Sequence, residues 1–107
     1  MKILFFCGSL DPGHDGVGDY TRCLAEACSA RGHACTVIAL NDPAVSQVAT
    51  TLGTVRLIRL PASDSWPDRL ACAARHLQGF SPDWVSWQFV AYGFHPLGYL
   101  PSALLEA

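Results

Sequence analysis

The residues best suited to chemistry form a glycine- and aspartate-rich loop behind the first apolar run of the chain. The loop reads Gly8-Ser-Leu-Asp-Pro-Gly13-His-Asp-Gly16-Val-Gly18-Asp and follows the run Lys2–Cys7. Gly16 and Gly18 fall in the predicted first turn of a helix, where backbone amides have no partner within the helix. Without Cβ atoms, they would let a diphosphate approach those amides closely. Such glycines also serve as plain turn residues, so the glycines alone leave both interpretations open.

Three familiar ligand-binding loops do not fit this segment. A dinucleotide fingerprint needs Gly-x-Gly-x-x-Gly close behind the strand, but Thr21 stands where the third glycine belongs, and the loop is too long. A P-loop needs Gly-Lys-Ser/Thr, and no lysine follows Lys2. A cobalamin loop would resemble Asp-x-His-x-x-Gly, and the spacing of Asp11-Pro-Gly-His14-Asp-Gly16 misses that pattern. The loop matches none of the three.

Alternating strand and helix patterns predict an α/β fold with a doubly wound, Rossmann-like parallel sheet. Four short apolar runs are typical of buried strands: residues 2–7, 34–40, 54–60 and 83–90. Crossover connections give the sheet order third, second, first, fourth strand. Segment 43–53 is ambiguous, although its apolar residues fit a short helix. The aromatic residues Trp84 and Trp87 are predicted to pack in the core rather than to stack on a sugar.

The first predicted helix lies directly behind the glycine loop. Asp15 is suited to cap its start, and Gly32 is suited to end it. Apolar residues recur at helical spacing and predict a buried face formed by Tyr20, Cys23, Leu24, Ala27 and Cys28. The predicted solvent-facing side carries Asp19, Arg22 and Glu26.

A second amphipathic helix is predicted from Trp66 to Gln78, with Pro67 in its first turn and Gly79 closing it. Its predicted buried face consists of Leu70, Ala73, Ala74 and Leu77. A third helix runs to Ala107. Residues 102–107 contain no Gly, Asn or Pro to stop that helix, so we expect a chain cut before its fold is finished. The other interpretation is a small complete domain with a frayed helical tail.

Composition limits the classes of partner. The 107 residues suit one domain, and a formal charge of −2 provides no basic field for nucleic acid. No apolar window is long enough to span a membrane, and the run Lys2–Cys7 is too short for a secretory signal, which predicts a cytoplasmic protein. Five cysteines without a Cys-x-x-Cys pair predict no metal site, and we expect them to be buried in the core.

Two segments carry a resemblance to a known family. The stretch Gly16-Val-Gly-Asp-Tyr-Thr-Arg-Cys-Leu-Ala-Glu-Ala-Cys-Ser-Ala-Arg-Gly-His33-Ala-Cys-Thr-Val-Ile38 resembles the amino-terminal region of family 4 glycosyltransferases. Those proteins have a Gly-x-Gly pair, a "Leu-Ala" helix and then "Arg-Gly-His-x-Val-Thr-Val". The stretch Pro82-Asp-Trp-Val-Ser-Trp-Gln88-Phe-Val-Ala-Tyr92-Gly-Phe-His95 is similar to the region of the fourth strand in that family.

The resemblance implies an incomplete amino-terminal half of a GT-B amino-terminal domain. The missing carboxy-terminal domain would hold most of a nucleotide-sugar, and sugar would pass with retention to a sugar or lipid-linked acceptor. Gly16 and Gly18 would contact the donor diphosphate. The acceptor pocket would use Asp11, Asp19, Tyr20, Gln88, Tyr92 and His95, of which His95 is a weak catalytic candidate. The family needs no metal or cofactor beyond the nucleotide-sugar donor.

Two consequences follow for the chain itself. The 107 residues alone are predicted to be inactive, because the second domain is absent and the sequence shows no lysine or arginine cluster for a diphosphate. No transmembrane segment is expected, while peripheral membrane contact stays open. The alternative is a non-catalytic α/β module that binds a nucleotide or phosphate. An NAD-dependent oxidoreductase ranks third, because the dinucleotide fingerprint fails.

Overall fold

Parallel strands built from the apolar runs form the centre of the protein. The computed structural model describes residues 1–13, 16–43, 45 and 47–88. The strands are β1 (Lys2–Cys7), β2 (Ala34–Asp42), β3 (Ala49–Leu52), β4 (Val55–Pro61) and β5 (Trp84–Trp87). The helices are α1 (Gly16–Ala30) and α2 (Trp66–Phe80). The Asp15 cap, the last residues of the fourth predicted strand and the third helix lie outside the described residues.

Within the described residues, the sheet has the order β3-β4-β2-β1-β5. β1 pairs in parallel with β2 and with β5, and β2 pairs in parallel with β4. The predicted order of the four apolar runs is therefore confirmed. The runs of β1, β2 and β4 are local signals, because a strand buried on both faces must be largely apolar, whereas the described residues of β5 are mostly exposed.

β3 corrects the prediction of a short helix in segment 43–53. Ala49–Leu52 pairs antiparallel with β4, and the tight turn between the two strands contains Gly53 at φ +62°. Only glycine adopts such a φ without strain, which explains why a two-residue connection suffices here. The four residues of β3 alternate between exposed and half-buried, so their sequence lacks the apolar run that marks the other strands.

Among the described residues, each face of the sheet is covered by one helix. Leu4, Phe6, Ile38, Leu40, Ile58 and Leu60 project to the face that packs against α2. The alternate residues, among them Phe5, Cys7, Val37, Ala39 and Leu57, project to the face that packs against α1. The period of two along a strand thus produces two apolar layers from one set of sequence runs.

The predicted buried face of α1 is partly wrong. Leu24 and Cys28 pack against the core as expected, but Tyr20 is 60% exposed, and Cys23 and Ala27 are exposed as well. The buried positions are instead the small residues Gly18, Thr21 and Ala25. Small side chains allow close approach to the sheet. The Thr21 hydroxyl tolerates burial because it donates to the carbonyl of Val17 at 2.6 Å.

α2 begins as predicted and ends later. Ser65 caps its start by accepting a hydrogen bond from the N–H of Asp68 at 3.2 Å, and Pro67 occupies the first turn. Gly79 does not close the helix. Ser81 does so in the left-handed region at φ 53°, where its N–H donates to the carbonyl of Leu77 at 2.9 Å.

The buried face of α2 also differs from the prediction. Ala73 is buried, and Leu70 and Leu77 are half-buried against the core, but Ala74 is exposed. Arg69, which was not predicted to be buried, is only 5% exposed. Its burial is tolerated because hydrogen bonds satisfy part of its guanidinium.

The predicted end of α1 is confirmed, since Gly32 lies just beyond the helix with φ +93°.

β5 forms one edge of the described sheet and corrects the prediction for its tryptophans. The Trp87 ring stacks on Phe6 with ring centroids 4.5 Å apart. Even so, Trp87 is 42% exposed and Trp84 is 64% exposed among the described residues. Neither described helix is long and apolar enough to cross a membrane.

The five cysteines are not all core residues, as the sequence had led us to expect. Cys7 and Cys35 are buried, Cys28 and Cys72 are half-buried, and Cys23 is exposed. Burial raises the pKa of the Cys35 thiol, and the nearby Cys28 thiol raises it further. Since the thiolate is the reactive form, we expect Cys35 to be inert in the folded protein.

Iodoacetamide at neutral pH should therefore modify Cys23 well before Cys7 or Cys35, as followed by mass spectrometry of tryptic peptides. In guanidinium chloride, all five cysteines should react at similar rates. Equal labelling of Cys35 and Cys23 in the native protein would show that the described burial is wrong.

Candidate functional site

The carboxyl ends of the parallel strands bring the glycine loop together with the ends of β2 and β5. The N–H of Asn41, near the end of β2, donates to the carbonyl of Gly8 at 2.8 Å. The N–H of Gln88, directly after β5, donates to the carbonyl of Phe6 at 2.7 Å. Ligands of open parallel sheets bind at this edge, so we take it as the candidate site.

The loop behind β1 is held in place by side chains from other elements. Leu10 is completely buried against the α1 face of the sheet, and its carbonyl accepts a hydrogen bond from Nη2 of Arg22 on α1. The N–H of Asp11 donates to Oγ of Ser9 at 3.0 Å. Gly13, at φ +76°, donates its N–H to Oδ1 of Asp19 at 3.4 Å. Hydrogen bonds within the loop and to α1 thus hold the described part of the loop.

Asp42 connects this loop to the sheet. Its side chain has no solvent exposure, and Oδ2 accepts the N–H of Leu10 at 3.0 Å and Nε of Arg59 at 2.8 Å. Oδ1 accepts Nη2 of Arg59 at 3.0 Å, which completes a two-point contact. The hydrogen bond to Asp42 raises the pKa of Arg59, so the guanidinium stays charged. Nη2 of Arg59 also lies 4.0 Å from Oδ1 of the more exposed Asp11.

A second arginine contacts the same end of β2 from the opposite face of the sheet. Nη1 of Arg69 donates to the carbonyl of Leu40 at 2.9 Å and to Oδ1 of Asn41 at 2.8 Å. Its guanidinium carbon lies 3.8 Å from the ring centroid of Trp66, a cation–π contact. Burial lowers the pKa of Arg69, although the charge of Asp64 opposes that effect. Nε of Arg69 is buried and makes no hydrogen bond within the described residues.

Gly16 and Gly18, the residues predicted to contact the donor diphosphate, differ in their burial. Gly16 is exposed at the start of α1, and a Cβ placed there would meet no atom within 4 Å. Gly18 is buried in the same turn. A Cβ added at Gly16 therefore has room in the protein itself, whereas Gly18 is enclosed by the fold.

The predicted acceptor residues are only partly brought together. Asp11, Asp19 and Gln88 stand at or beside the carboxyl edge, in the loop, in α1 and after β5. The side chain of Gln88 donates to Oγ of Ser86 at 2.8 Å. Tyr20 projects into solvent from α1. Tyr92 and His95 lie outside the described residues.

Three arginines donate hydrogen bonds to groups of the chain at the carboxyl edge, so the expectation that no basic cluster serves a diphosphate stays a prediction. They are distant in sequence, and the fold brings them to the loop and to the end of β2: Arg22, Arg59 and Arg69. Sequence reasoning also missed Asp42, which it treated as part of a strand stop. The available signal was the charge of Arg59 inside a buried apolar strand, because a charge there needs a partner.

One groove among the described residues lies away from the glycine loop. An open groove of about 310 Å³ runs between the end of α1 and the turn between β3 and β4, where Ser29 and Thr54 share a hydrogen bond through their hydroxyls. This groove is at the amino edge of the sheet, remote from the glycine loop, and we give the loop more weight because its polar groups converge. Among the described residues no group of His, Cys, Asp or Glu could hold a metal ion.

No family model, curated protein or solved structure matches this sequence. The function is therefore inferred from the residues of the chain itself and from the resemblance of its motifs.

Replacing Asp42 by Asn should lower the free energy of unfolding by about 2–4 kcal/mol, because the half-buried Arg59 loses its charged partner. Urea denaturation at neutral pH measures this change. The matched control is Glu26→Gln, the same exchange at an exposed position of α1, with an effect within about 0.5 kcal/mol. Equal effects for the two variants would show that Asp42 does not hold the loop.

Proposed function

We propose that this chain is the amino-terminal part of a retaining glycosyltransferase with two Rossmann-like domains. The observation that carries the proposal is the described part of the loop, which Asp42 holds at the carboxyl edge, together with a following helix whose first residue is an exposed glycine. The motifs of the loop, α1 and β2 resemble family 4 glycosyltransferases. The fold proposed for the whole domain is a doubly wound sheet, and one helix on each face is compatible with it.

In this proposal, the start of α1 contacts the donor diphosphate. The first amides of a helix point toward the helix start, and the helix dipole favours a negative ligand there. Gly16 leaves space for a phosphate beside its backbone. The arginines at this edge already donate hydrogen bonds to groups of the chain itself: Arg22, Arg59 and Arg69. The positive charges that stabilise the leaving diphosphate are therefore assigned to the second domain.

The acceptor is proposed to bind across the loop and the end of β5. Carboxylates accept hydrogen bonds from sugar hydroxyls, and Asp11 is the partly exposed carboxylate of the described loop. Tyr20, on the exposed side of α1, offers a ring and a hydroxyl to the same ligand. Gln88, Tyr92 and His95 complete the proposed pocket, and His95 is the weak candidate for a general base.

The alternative is a module that binds a nucleotide or phosphate without catalysis. An exposed amide at a helix start binds a phosphate whether or not a reaction follows, so the start of α1 fits this function equally well. The coding sequence beyond codon 107 separates the two. A continuing frame with a second, Glu-containing Rossmann-like domain supports the enzyme, whereas saturable sugar transfer by the purified 107-residue chain would contradict the need for that domain.

In the two-domain protein, Gly16→Val should lower donor-dependent turnover by about a hundredfold, the effect of losing one well-placed donor to a developing oxyanion. The thermal midpoint should change little, because the new side chain meets open space. Gly18→Val should lower both turnover and stability, because Gly18 is buried. Initial rates and thermal melts are measured on the same preparations.

Gly79→Val is the matched control, since Gly79 also lies in a helix with open space around its added Cβ. Gly13→Ala is unsuitable, because φ +76° strains any side chain there. Two results would contradict the proposed contact between Gly16 and the donor diphosphate. One is an equal loss of turnover in Gly16→Val and Gly79→Val, and the other is a loss of turnover that matches the fall in the thermal midpoint. Either result would make Gly16 a turn residue.

A further inference from the structure

The open groove at the amino edge of the sheet is lined by apolar side chains from β3 and β4. It lies between the second half of α1 and the tight turn that joins the two strands, and its volume is about 310 Å³. Val55 is almost fully buried, and Leu52 is its antiparallel partner in the strand pair. Both belong to the apolar layer beneath α1. A groove of this volume is at the lower end of the range of roughly 300–1,000 Å³ that small-molecule sites occupy.

Polar groups line the same groove from α1 and from the turn. Glu26, Ser29 and Ala30 are three and four residues apart, so they lie on one face of the helix. The hydroxyl of Ser29 shares a hydrogen bond with the hydroxyl of Thr54, which is 25 residues away in the sequence. This bond connects the two walls of the groove.

The charge of the groove is negative. Among the described residues that line it, Glu26 alone is charged. In the described part of the chain, no basic side chain lies within 4.0 Å of that carboxylate. The end of α1 adds to this charge, because the helix dipole places a partial negative charge there and the last turn contains no basic residue. The carboxylate and the helix end therefore both favour a positive ligand.

The arginines closest to the groove in sequence are directed elsewhere. Arg22, one turn before Glu26 on α1, donates to a carbonyl of the glycine loop at the carboxyl edge. Arg56 shares the face of Ile58, which packs against α2 on the other side of the sheet. Arg31 is exposed beyond the end of α1. None of these arginines is among the described residues that line the groove.

Other charged groups of the amino edge belong to the neighbouring part of the sheet. The backbone N–H of Lys2 donates to the carboxylate of Asp83 at 2.8 Å, which joins the start of β1 to the segment before β5. The carbonyl of Met1 accepts the N–H of Ala34 on β2 at 3.0 Å. Since β2 separates β1 from β4, these groups do not line the groove.

We propose that this groove binds a small organic cation, an ammonium group attached to a short apolar chain. The ammonium lies against the carboxylate of Glu26 and the end of α1, and the apolar chain lies against Leu52 and Val55. The hydroxyls of Ser29 and Thr54 accept the remaining N–H groups of the ammonium. The site does not depend on the proposed transferase activity, because it lies at the opposite edge of the sheet from the glycine loop.

The test is an NMR titration of the isotope-labelled 107-residue chain with hexylammonium chloride. Hexanol and hexanoate provide the same apolar chain with no charge and with a negative charge. Hexylammonium should shift the amide signals of Gly53 and Thr54 in a saturable way. It should also bind more tightly than the other two compounds, because it alone complements the charge of Glu26.

Variants of the lining residues separate the charge from the apolar contact. Glu26→Gln should weaken hexylammonium binding by about threefold, the effect of losing one exposed ion pair. Glu26→Lys should reverse the preference, so that hexanoate binds more tightly than hexylammonium. Leu52→Ala should weaken hexylammonium and hexanol alike, because it removes apolar contact that both compounds make. The amide spectrum of each variant reports in the same measurement that the fold is retained.

The matched control is Asp64→Asn, which removes an exposed carboxylate from the connection between β4 and α2, at the carboxyl edge of the sheet. This variant should bind hexylammonium with unchanged affinity. The proposal is wrong if hexylammonium and hexanoate bind equally to the unaltered chain, or if Asp64→Asn weakens binding as much as Glu26→Gln. It is also wrong if the saturable shifts lie away from Gly53 and Thr54.

Discussion

The carboxyl edge of the sheet depends on the buried carboxylate of Asp42. A fully buried charge is tolerated only when partners surround it, and Asp42 accepts hydrogen bonds from the Leu10 amide and from two nitrogens of Arg59. These contacts join β2, β4 and the glycine loop. The loop is therefore anchored to the strands beneath it, in addition to its own hydrogen bond and its contacts with α1.

The side chains of Asn41 and Asp42 contact different arginines at the end of β2, where a register shift between Ala39 and Asp42 interrupts the regular pairing with β4. Asp42 binds Arg59 beneath α1, and Asn41 binds Arg69 beside α2. A single strand end thus anchors both layers of the fold. The arginines at this edge serve largely to hold the chain, which is why the proposed diphosphate contact rests on backbone amides and on a second domain.

The sequence was sufficient to predict the parallel strands and their order, because strands buried on both faces are apolar throughout. β3 could not be predicted, since its four residues are alternately exposed and half-buried and acquire their pairing from β4. The face of α1 was partly wrong because small residues such as Gly18 and Ala25 carry the contact while Tyr20 faces solvent. The roles of Asp42 and Arg59 depend on a contact between β2 and β4, which the pattern of neither strand reveals alone.

The hydrogen bonds that hold the loop have a consequence for the order of folding. The contact between Leu10 and Asp42 spans 32 residues, and that between Asp42 and Arg59 spans 17. Contacts of such separation form only after the chain between them has closed, so the loop becomes ordered once β1, β2 and β4 are assembled. Exchange of the Leu10 amide with solvent should then require opening of the sheet, and the candidate site persists as long as the domain itself does.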